Sequence, residues 1–253
     1  MFNSISHLNG SKVSATDGDI GSVKEVFFDD RSWAIRYLVV DAGTWLNDRL
    51  VLLSPYAVNQ SPGTDQQVQV SLTREQVQNS PNVNAHQPVS RQHELELSRY
   101  YQYPTYWDGD DLWATGARPF PLVMGVGAND NRVAPAHHDK PAEVHLRSSA
   151  EVTGYEIQAV DESIGQVMDF IFDTETWAIR YLVVDTSSWW TLKSMVLIGM
   201  HWADRIDWDS RKFHVNLTRE QVKTSPVFED VSSIQREYEM RLHQNYRRDG
   251  YWS

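Results

Sequence analysis

Nine residues of this chain, WAIRYLVVD, occur twice, at 33–41 and again at 177–185. The similarity continues in register on both sides, since 21–41 aligns with 165–185 and, after a one-residue insertion, 72–81 aligns with 217–226. Two copies of about 100 residues are too few and too long for a solenoid, whose repeats are short and numerous. The sequence therefore predicts two tandem copies of one domain.

The repeats divide the chain into three segments. The first repeat with its tail occupies 1–107, and the second occupies 149–253. The segment between them, 108–148, is rich in Gly, Pro, Asn and Asp and shows no sustained periodicity, which indicates a linker. It contains two short apolar runs, LW and FPLVM, and we expect an ordered belt that lies across a barrel.

Each repeat begins with a series of short strands. In WAIRYLVV both alternating faces are largely apolar, which predicts a central strand covered on both sides. The motif around it has Asp29 or Asp173 bonding the turn backbone, Trp33 or Trp177 opening the strand, and Asp41 or Asp185 capping the next loop. Four short strands within about 75 residues favour a small closed barrel or a strongly curled sheet.

A helical tail follows the strands of each repeat. The sequence TREQ at 73–76 and 218–221 predicts a capping box at the start of a short helix. Ser90 then caps a longer helix, RQHELELSRYY, whose apolar side we assign to Leu95, Leu97 and Tyr101.

These residues resemble the PRC-barrel domain family. The resemblance rests on DGDIGSVKEVFFDDRSWAIRYLVVD, on DESIGQVMDFIFDTETWAIRYLVVD and on the strands VLLS and VLIG, and it covers roughly 5–80 and 149–225. It implies a mainly β fold of two tandem small barrels, each with a short helical tail. It also implies a relation to the cytoplasmic part of the photosynthetic reaction-centre H subunit and to a ribosome-maturation factor, although this chain lacks the former's membrane helix and the latter's other domain. The tails resemble those of bacterial two-barrel proteins, and family members act as scaffolds or adaptors.

The charge and composition exclude several classes of function. A net charge of −11 with no basic run longer than Arg247 and Arg248 disfavours binding to nucleic acid or anionic lipid. No apolar run approaches a membrane span, and the first residues do not form a secretory signal. The absence of cysteine excludes disulfides and thiolate metal sites. We therefore expect a soluble cytoplasmic protein with no cofactor and no metal.

Two kinds of residue are candidates for binding a partner. Arg36 and Arg180 interrupt an otherwise apolar strand face, so each must pair with a neighbouring carboxylate, such as Glu25 or Asp169, or contact an anion on a partner. The Trp and Tyr clusters either cover the barrel ends or form a binding surface. The candidates for that surface are Trp107, Trp189, Trp190 and Trp202.

The sequence favours a non-catalytic adaptor that binds an unidentified protein. We expect the two repeats to pack on each other about an internal pseudo-twofold axis, as a fused homodimer, with further homo-oligomerisation open. One alternative is a small-molecule or carbohydrate-binding module that uses the Trp clusters. A second is a hydrolase built on the hairpin carboxylates Asp29 and Asp173, which would have to lie in a cleft. No catalytic residue is predicted.

Overall fold

A computed structural model of the chain describes residues 1–59, 66–82, 89–114, 116–119, 145–187 and 195–252. It is mainly β, with two sheets, and it divides into two compact units. We call the first unit Asn9–Arg147 with Glu175–Trp177, because it contains most of the first repeat. The second unit consists of Met1–Leu8, Ser148–Thr174 and Ala178–Ser253.

The strands and helices follow the two repeats. The strands are β1 Phe2–Ser4, β2 Lys12–Ala15, β3 Gly18–Asp29, β4 Ala34–Asp41, β5 Leu50–Leu53, β6 Gln67–Gln69, β7 Leu146–Ser148, β8 Glu156–Gln158, β9 Ser163–Asp173, β10 Ile179–Asp185, β11 Met195–Gly199, β12 Ala203–Asp207, β13 Lys212–Val215 and β14 Val227–Phe228. The α-helices are α1 Ile5–Leu8, α2 Arg74–Gln78, α3 Arg91–Tyr101, α4 Ser149–Val152, α5 Arg219–Lys223 and α6 Arg236–Tyr246. Short 3-10 helices lie at Gly43–Leu46, Pro55–Ala57, Met200–Trp202 and Val231–Ser233.

Strand β4 is a central strand, as its sequence predicts. The order of the first sheet is β5-β4-β3-β2-β6, and every residue of β4 except Asp41 is buried. The β3–β4 hairpin turns through Asp29, whose Oδ1 accepts backbone N–H groups from Arg31 and Ser32. Trp33 closes this turn with φ of 55°, and Trp177 has φ of 58° at the corresponding place. A left-handed residue is typical of such hairpins but costs energy for a bulky side chain.

The second sheet has the order β12-β13-β8-β9-β10-β11-β14. Strands β11 and β12 lie near opposite ends of this path, yet only Met200–Trp202 separates them along the chain. The sheet must therefore curl strongly to bring its two ends together. Closure into a complete barrel stays a prediction.

The predicted helices and their caps are confirmed, whereas of the three residues assigned to the apolar side of α3 only Leu97 is buried, and Leu95 and Tyr101 are half-buried. Both capping boxes are present, at Thr73 with Gln76 and at Thr218 with Gln221, and Ser90 caps α3. In the described part of the chain, no helix is both long and apolar enough to cross a membrane.

Each sheet contains one short strand from outside the repeat that forms the rest of the sheet. Strand β1 pairs antiparallel with β9, with Phe2 opposite Asp173, whereas β7 pairs with β3. The backbone N–H of Thr174 donates to Met1 O at 2.8 Å. At the corresponding place in the other sheet, Asp30 N–H donates to His145 O at 3.0 Å. The compact units thus differ from the sequence repeats at their first strands, while the boundaries 1–107, 108–148 and 149–253 and the pseudo-twofold arrangement stay predictions.

Because Met1–Leu8 belongs to the second unit, a mutation in this segment should destabilise the second unit. Leu8 is fully buried in the second unit. We expect Leu8→Ala to cost about 2–5 kcal/mol of stability, the usual range for such a cavity. Hydrogen exchange should show the loss of protection in β9 and β10, although Leu8 belongs to the first repeat in the sequence. Loss of protection in β3 and β4 with β9 and β10 unchanged would contradict the assignment; His7→Ala, at an exposed position, is the control.

Candidate functional site

The tail helix of the first repeat carries a carboxylate that is shielded from solvent. Glu94 on α3 is 0% exposed, and its Oε1 accepts a hydrogen bond of 2.6 Å from the Tyr106 hydroxyl. Its Oε2 lies 3.1 Å from Arg91 Nη1 and 3.0 Å from His145 Nε2. The Tyr37 hydroxyl of β4 bonds to the same carboxylate. A buried charge needs this many donors, so the carboxylate ties the tail to the central strand.

The two phenols around Glu94 are held protonated. Burial raises the pKa of Tyr106, and the negative charge of Glu94 raises it further. Burial also raises the pKa of Tyr37 well above its ordinary value, with Glu94 as the next cause. Both hydroxyls therefore act as hydrogen-bond donors to the carboxylate, and neither is a base at neutral pH.

The second unit repeats this cluster around Glu239. The Tyr181 hydroxyl donates to Glu239 Oε1 at 2.7 Å, and the Tyr251 hydroxyl donates to the same atom at 3.0 Å. Arg236 Nη1 lies 3.3 Å from Oε2. The histidines of the two clusters come from different parts of the chain. His243 belongs to α6 and lies 3.2 Å from the Tyr181 hydroxyl, whereas His145 comes just before β7. The same carboxylate–phenol–arginine arrangement is thus built twice.

The arginine of each central strand stacks on a tail tyrosine. The guanidinium of Arg36 lies 3.8 Å from the Tyr106 ring centre, and that of Arg180 lies 4.2 Å from the Tyr251 ring centre. Arg36 also donates to Leu112 O at 2.7 Å and to Ser32 Oγ at 2.9 Å. Its partners are therefore a ring, a carbonyl and a hydroxyl, and not the expected carboxylate of the neighbouring strand. Burial lowers the pKa of Arg36.

A tryptophan covers an arginine at the end of each tail. The ring centre of Trp107 lies 4.0 Å from the Arg91 guanidinium, and that of Trp252 lies 4.2 Å from the Arg236 guanidinium. Trp107 is half-buried, and Trp252 is 38% exposed. We call Trp107–Arg91 and Trp252–Arg236 the tail pairs. They are preformed aromatic–cation contacts at the surface of their units.

The remaining candidate residues have different surroundings. Trp202 is buried against His243 and Tyr246, with ring centres 5.1 and 4.7 Å away. Trp189 and Trp190 lie outside the described residues. Contact of Arg36, Arg180, Trp107, Trp189, Trp190 and Trp202 with a partner stays a prediction.

The repeated motif residues are used inside the fold. Asp41 Oδ1 accepts from Gly43 N–H, and Asp185 Oδ1 accepts from Ser187 N–H, which confirms the predicted loop caps. Trp33 stacks on Phe28 with ring centres 5.6 Å apart, and Trp177 is buried.

The hairpin carboxylates do not form an open catalytic pair. A carboxylate in a hairpin turn is expected to be exposed to solvent, but Asp29 is only 5% exposed. Its Oδ1 is used by two backbone N–H groups and by the Ser32 hydroxyl at 3.0 Å. Asp173 Oδ1 lies 3.6 Å from the amino group of Met1. These carboxylates hold turns and chain ends.

The structure offers little room for a small ligand beside the tail aromatics of the first unit. The cavity lined by Tyr37, Tyr56, Tyr101, Tyr103 and Tyr106 has a volume of about 10 Å³, the space of about one water molecule. Among the residues that the structure describes, no group of His, Asp or Glu is arranged to hold a metal ion.

Residues 146–222, from β7 into α5, match the family model of the PRC-barrel domain. This part of the chain is therefore a PRC-barrel domain, and the mainly β fold agrees with that assignment. No curated protein matches the chain. The relation to the reaction-centre subunit stays a prediction.

Sequence reasoning missed the buried carboxylates, although a signal was present. In the aligned tails RQHE and REYE, the Arg and Glu recur at the same positions, and both tails end in Tyr-Trp. When the same charged residues occur at matching positions of two helices whose other residues differ, both helices are expected to use them in the same contact. Nothing in the sequence places His145 beside Glu94, because they are far apart in the chain.

The charge of Glu94 should matter far more than that of its neighbour Glu96. Glu94→Gln keeps the shape but turns an amide NH₂ toward groups that are themselves donors. We expect a loss of about 1–3 kcal/mol in unfolding free energy, as for a buried group left without its partner. Glu96→Gln, at an exposed position of the same helix, should change it little. Equal effects of the two substitutions in urea unfolding would contradict the role of Glu94.

The second unit should lose stability as the pH falls. Burial lowers the pKa of His243, although the Asp249 carbonyl and Glu239 oppose the shift, and Arg236 adds to it. The unfolded chain therefore binds more protons than the folded one below about pH 6.5, so the unfolding free energy decreases there. His243→Asn should flatten this dependence, measured by urea unfolding between about pH 7.5 and 5.5. An unchanged slope would show that His243 does not contribute.

Proposed function

We propose that this protein is a non-catalytic adaptor that binds a partner protein, and that each tail pair is a contact surface on its own unit. The observation that carries the proposal is the repetition of the tryptophan–arginine pair, Trp107–Arg91 and Trp252–Arg236, at the end of both tails, where each pair remains partly accessible to solvent. Trp and Arg are the residue types most often responsible for binding energy at protein interfaces.

The tail pairs are held in place before a partner arrives. Arg91 and Arg236 are anchored on their undersides by the buried carboxylates of Glu94 and Glu239. The tyrosines beside the two tryptophans bond to the same carboxylates. An ordered contact residue loses less conformational entropy on binding, which favours affinity.

The titratable groups of the two clusters also support a non-catalytic role. The carboxylates of Glu94 and Glu239 are surrounded by internal donors, and Asp29 is used by its own turn. A catalytic acid or base must instead reach a substrate atom. The family match favours the same general role for 146–222.

The small-molecule alternative has weaker support. The tyrosine-lined cavity holds about 10 Å³, whereas ligand pockets usually hold several hundred. A wider depression of about 460 Å³ is lined by Gln158, Asp204, Asn216 and other residues, none of them Trp or Tyr. We place the adaptor in the cytoplasm, on the grounds of composition alone.

The test is affinity purification from the native cell with mass spectrometry. The double variant Trp107→Ala and Trp252→Ala should lose the captured partner, and circular dichroism checks that it folds. The matched control is Met168→Ala with Met240→Ala, which removes two side chains that are 53% and 58% exposed. A partner held equally by wild type and by the tryptophan variant would overturn the proposed surface.

A further inference from the structure

In the first unit a short peptide segment covers the arginine of the central strand. Leu112 O accepts a hydrogen bond of 2.7 Å from Arg36 Nη1, and the Trp113 ring centre lies 4.7 Å from the Arg36 guanidinium. Trp113 also packs edge-on against Tyr56, with ring centres 5.1 Å apart, and the Tyr56 hydroxyl donates to Trp113 O. Trp113 is 1% exposed. Leu112 and Trp113 therefore occupy a site that is formed by the side chains of Arg36, Tyr56 and Tyr106. We call these three side chains the floor of the site.

The backbone of this segment forms a tight turn. Asp111 and Ala114 form an isolated antiparallel bridge, and Trp113 N–H donates to Gly116 O at 2.9 Å. A Cβ added to Gly109 would lie 1.9 Å from Ala114 O, so the close approach requires glycine. The sequence 109–116, GDDLWATG, of which all but residue 115 is described, thus contains both the turn and the groups that Arg36 contacts.

The second unit has the same floor. In the alignment of the repeats, Arg180 corresponds to Arg36, His201 to Tyr56 and Tyr251 to Tyr106. Arg180 stacks on Tyr251 at 4.2 Å, as Arg36 stacks on Tyr106 at 3.8 Å. The positive charge of Arg180 is close enough to His201 to act on its titration.

This second floor is more open than the first. Tyr56 is 3% exposed and Arg36 is 3% exposed, whereas His201 is exposed and Arg180 is half-buried. Among the described residues, the Nε of Arg180 is shielded from solvent and has no hydrogen-bond partner, as is also true of the Nε of Arg36. A guanidinium in this position has donors to offer to a ligand.

We infer that Arg180, His201 and Tyr251 form a binding site for a peptide segment of a partner protein that presents a backbone carbonyl next to a tryptophan. The carbonyl accepts from Arg180, and the indole packs over the guanidinium and against the His201 ring. The first unit already contains such an occupant, since Leu112 and Trp113 make these contacts there. The inference rests on the adaptor proposal and deepens it by giving the chemistry of a partner.

The probe is a synthetic peptide of residues 109–116, GDDLWATG, with blocked ends, added to the isotope-labelled full chain. We expect saturable chemical-shift changes at Arg180, His201 and Tyr251. The same peptide with alanine in place of tryptophan should bind on the order of tenfold more weakly, because the indole supplies the cation–π contact and most of the buried area.

Variants of the protein separate a specific site from general attraction. Arg180→Ala should weaken binding on the order of tenfold, and Arg180→Lys should also weaken it, because an ammonium lacks the flat face and the fork of donors. Arg205→Ala, an exposed arginine of the same unit, is the matched control and should leave binding unchanged. The labelled spectra show whether each variant is folded.

Three results would overturn the inference: no binding, binding that Arg180→Ala leaves intact, or shift changes confined to Tyr56 and Trp113 by displacement in the first unit. Failure here is distinguishable from failure of the adaptor proposal. If the tail-pair variant loses its partner while the peptide does not bind, only the peptide site is wrong. If the peptide binds while the tail-pair variant keeps its partner, the tail pairs are not the contact surface.

Discussion

In each repeat, a carboxylate that is shielded from solvent holds the helical tail on the central strand. Placing Glu94 or Glu239 in the interior is costly unless donors surround it, and here tyrosine and arginine side chains do so, with a histidine added at Glu94. Because these donors come from the strand, the helix and the end of the tail, one charge orients three segments. The tail pairs depend on the same interaction, since their arginines are the ion-pair partners of the carboxylates.

Each sheet also depends on a strand from outside its own repeat. Strand β1 pairs with β9, and β7 pairs with β3, so each sheet is completed by a short strand from a distant part of the chain. The residues that match the PRC-barrel family model, 146–222, begin with β7. This strand pairs with β3 of the first sheet, whereas the other strands within the matched residues belong to the second sheet. The sequence repeats and the compact units of this protein therefore have different boundaries.

The central arginines show how a repeated residue can have two environments. Both stack on a tail tyrosine, but Arg36 is covered by Leu112 and Trp113, whereas Arg180 is half-buried. The two copies of the motif are thus identical in sequence and unequal in accessibility. This inequality makes the second copy the better place to look for a partner.

The sequence by itself determined the repeat, the central strands, the capping boxes and the family of 146–222, because these follow from short-range periodicity and local hydrogen bonds. The loop caps at Asp41 and Asp185 were predictable for the same reason. The sequence did not predict the partners of Arg36 or the burial of Asp29. It also did not predict that β1 pairs with β9 or that β7 pairs with β3. Only the tertiary structure decided them, because a buried charge takes whichever donors the fold brings near it, and a strand edge takes whichever strand reaches it.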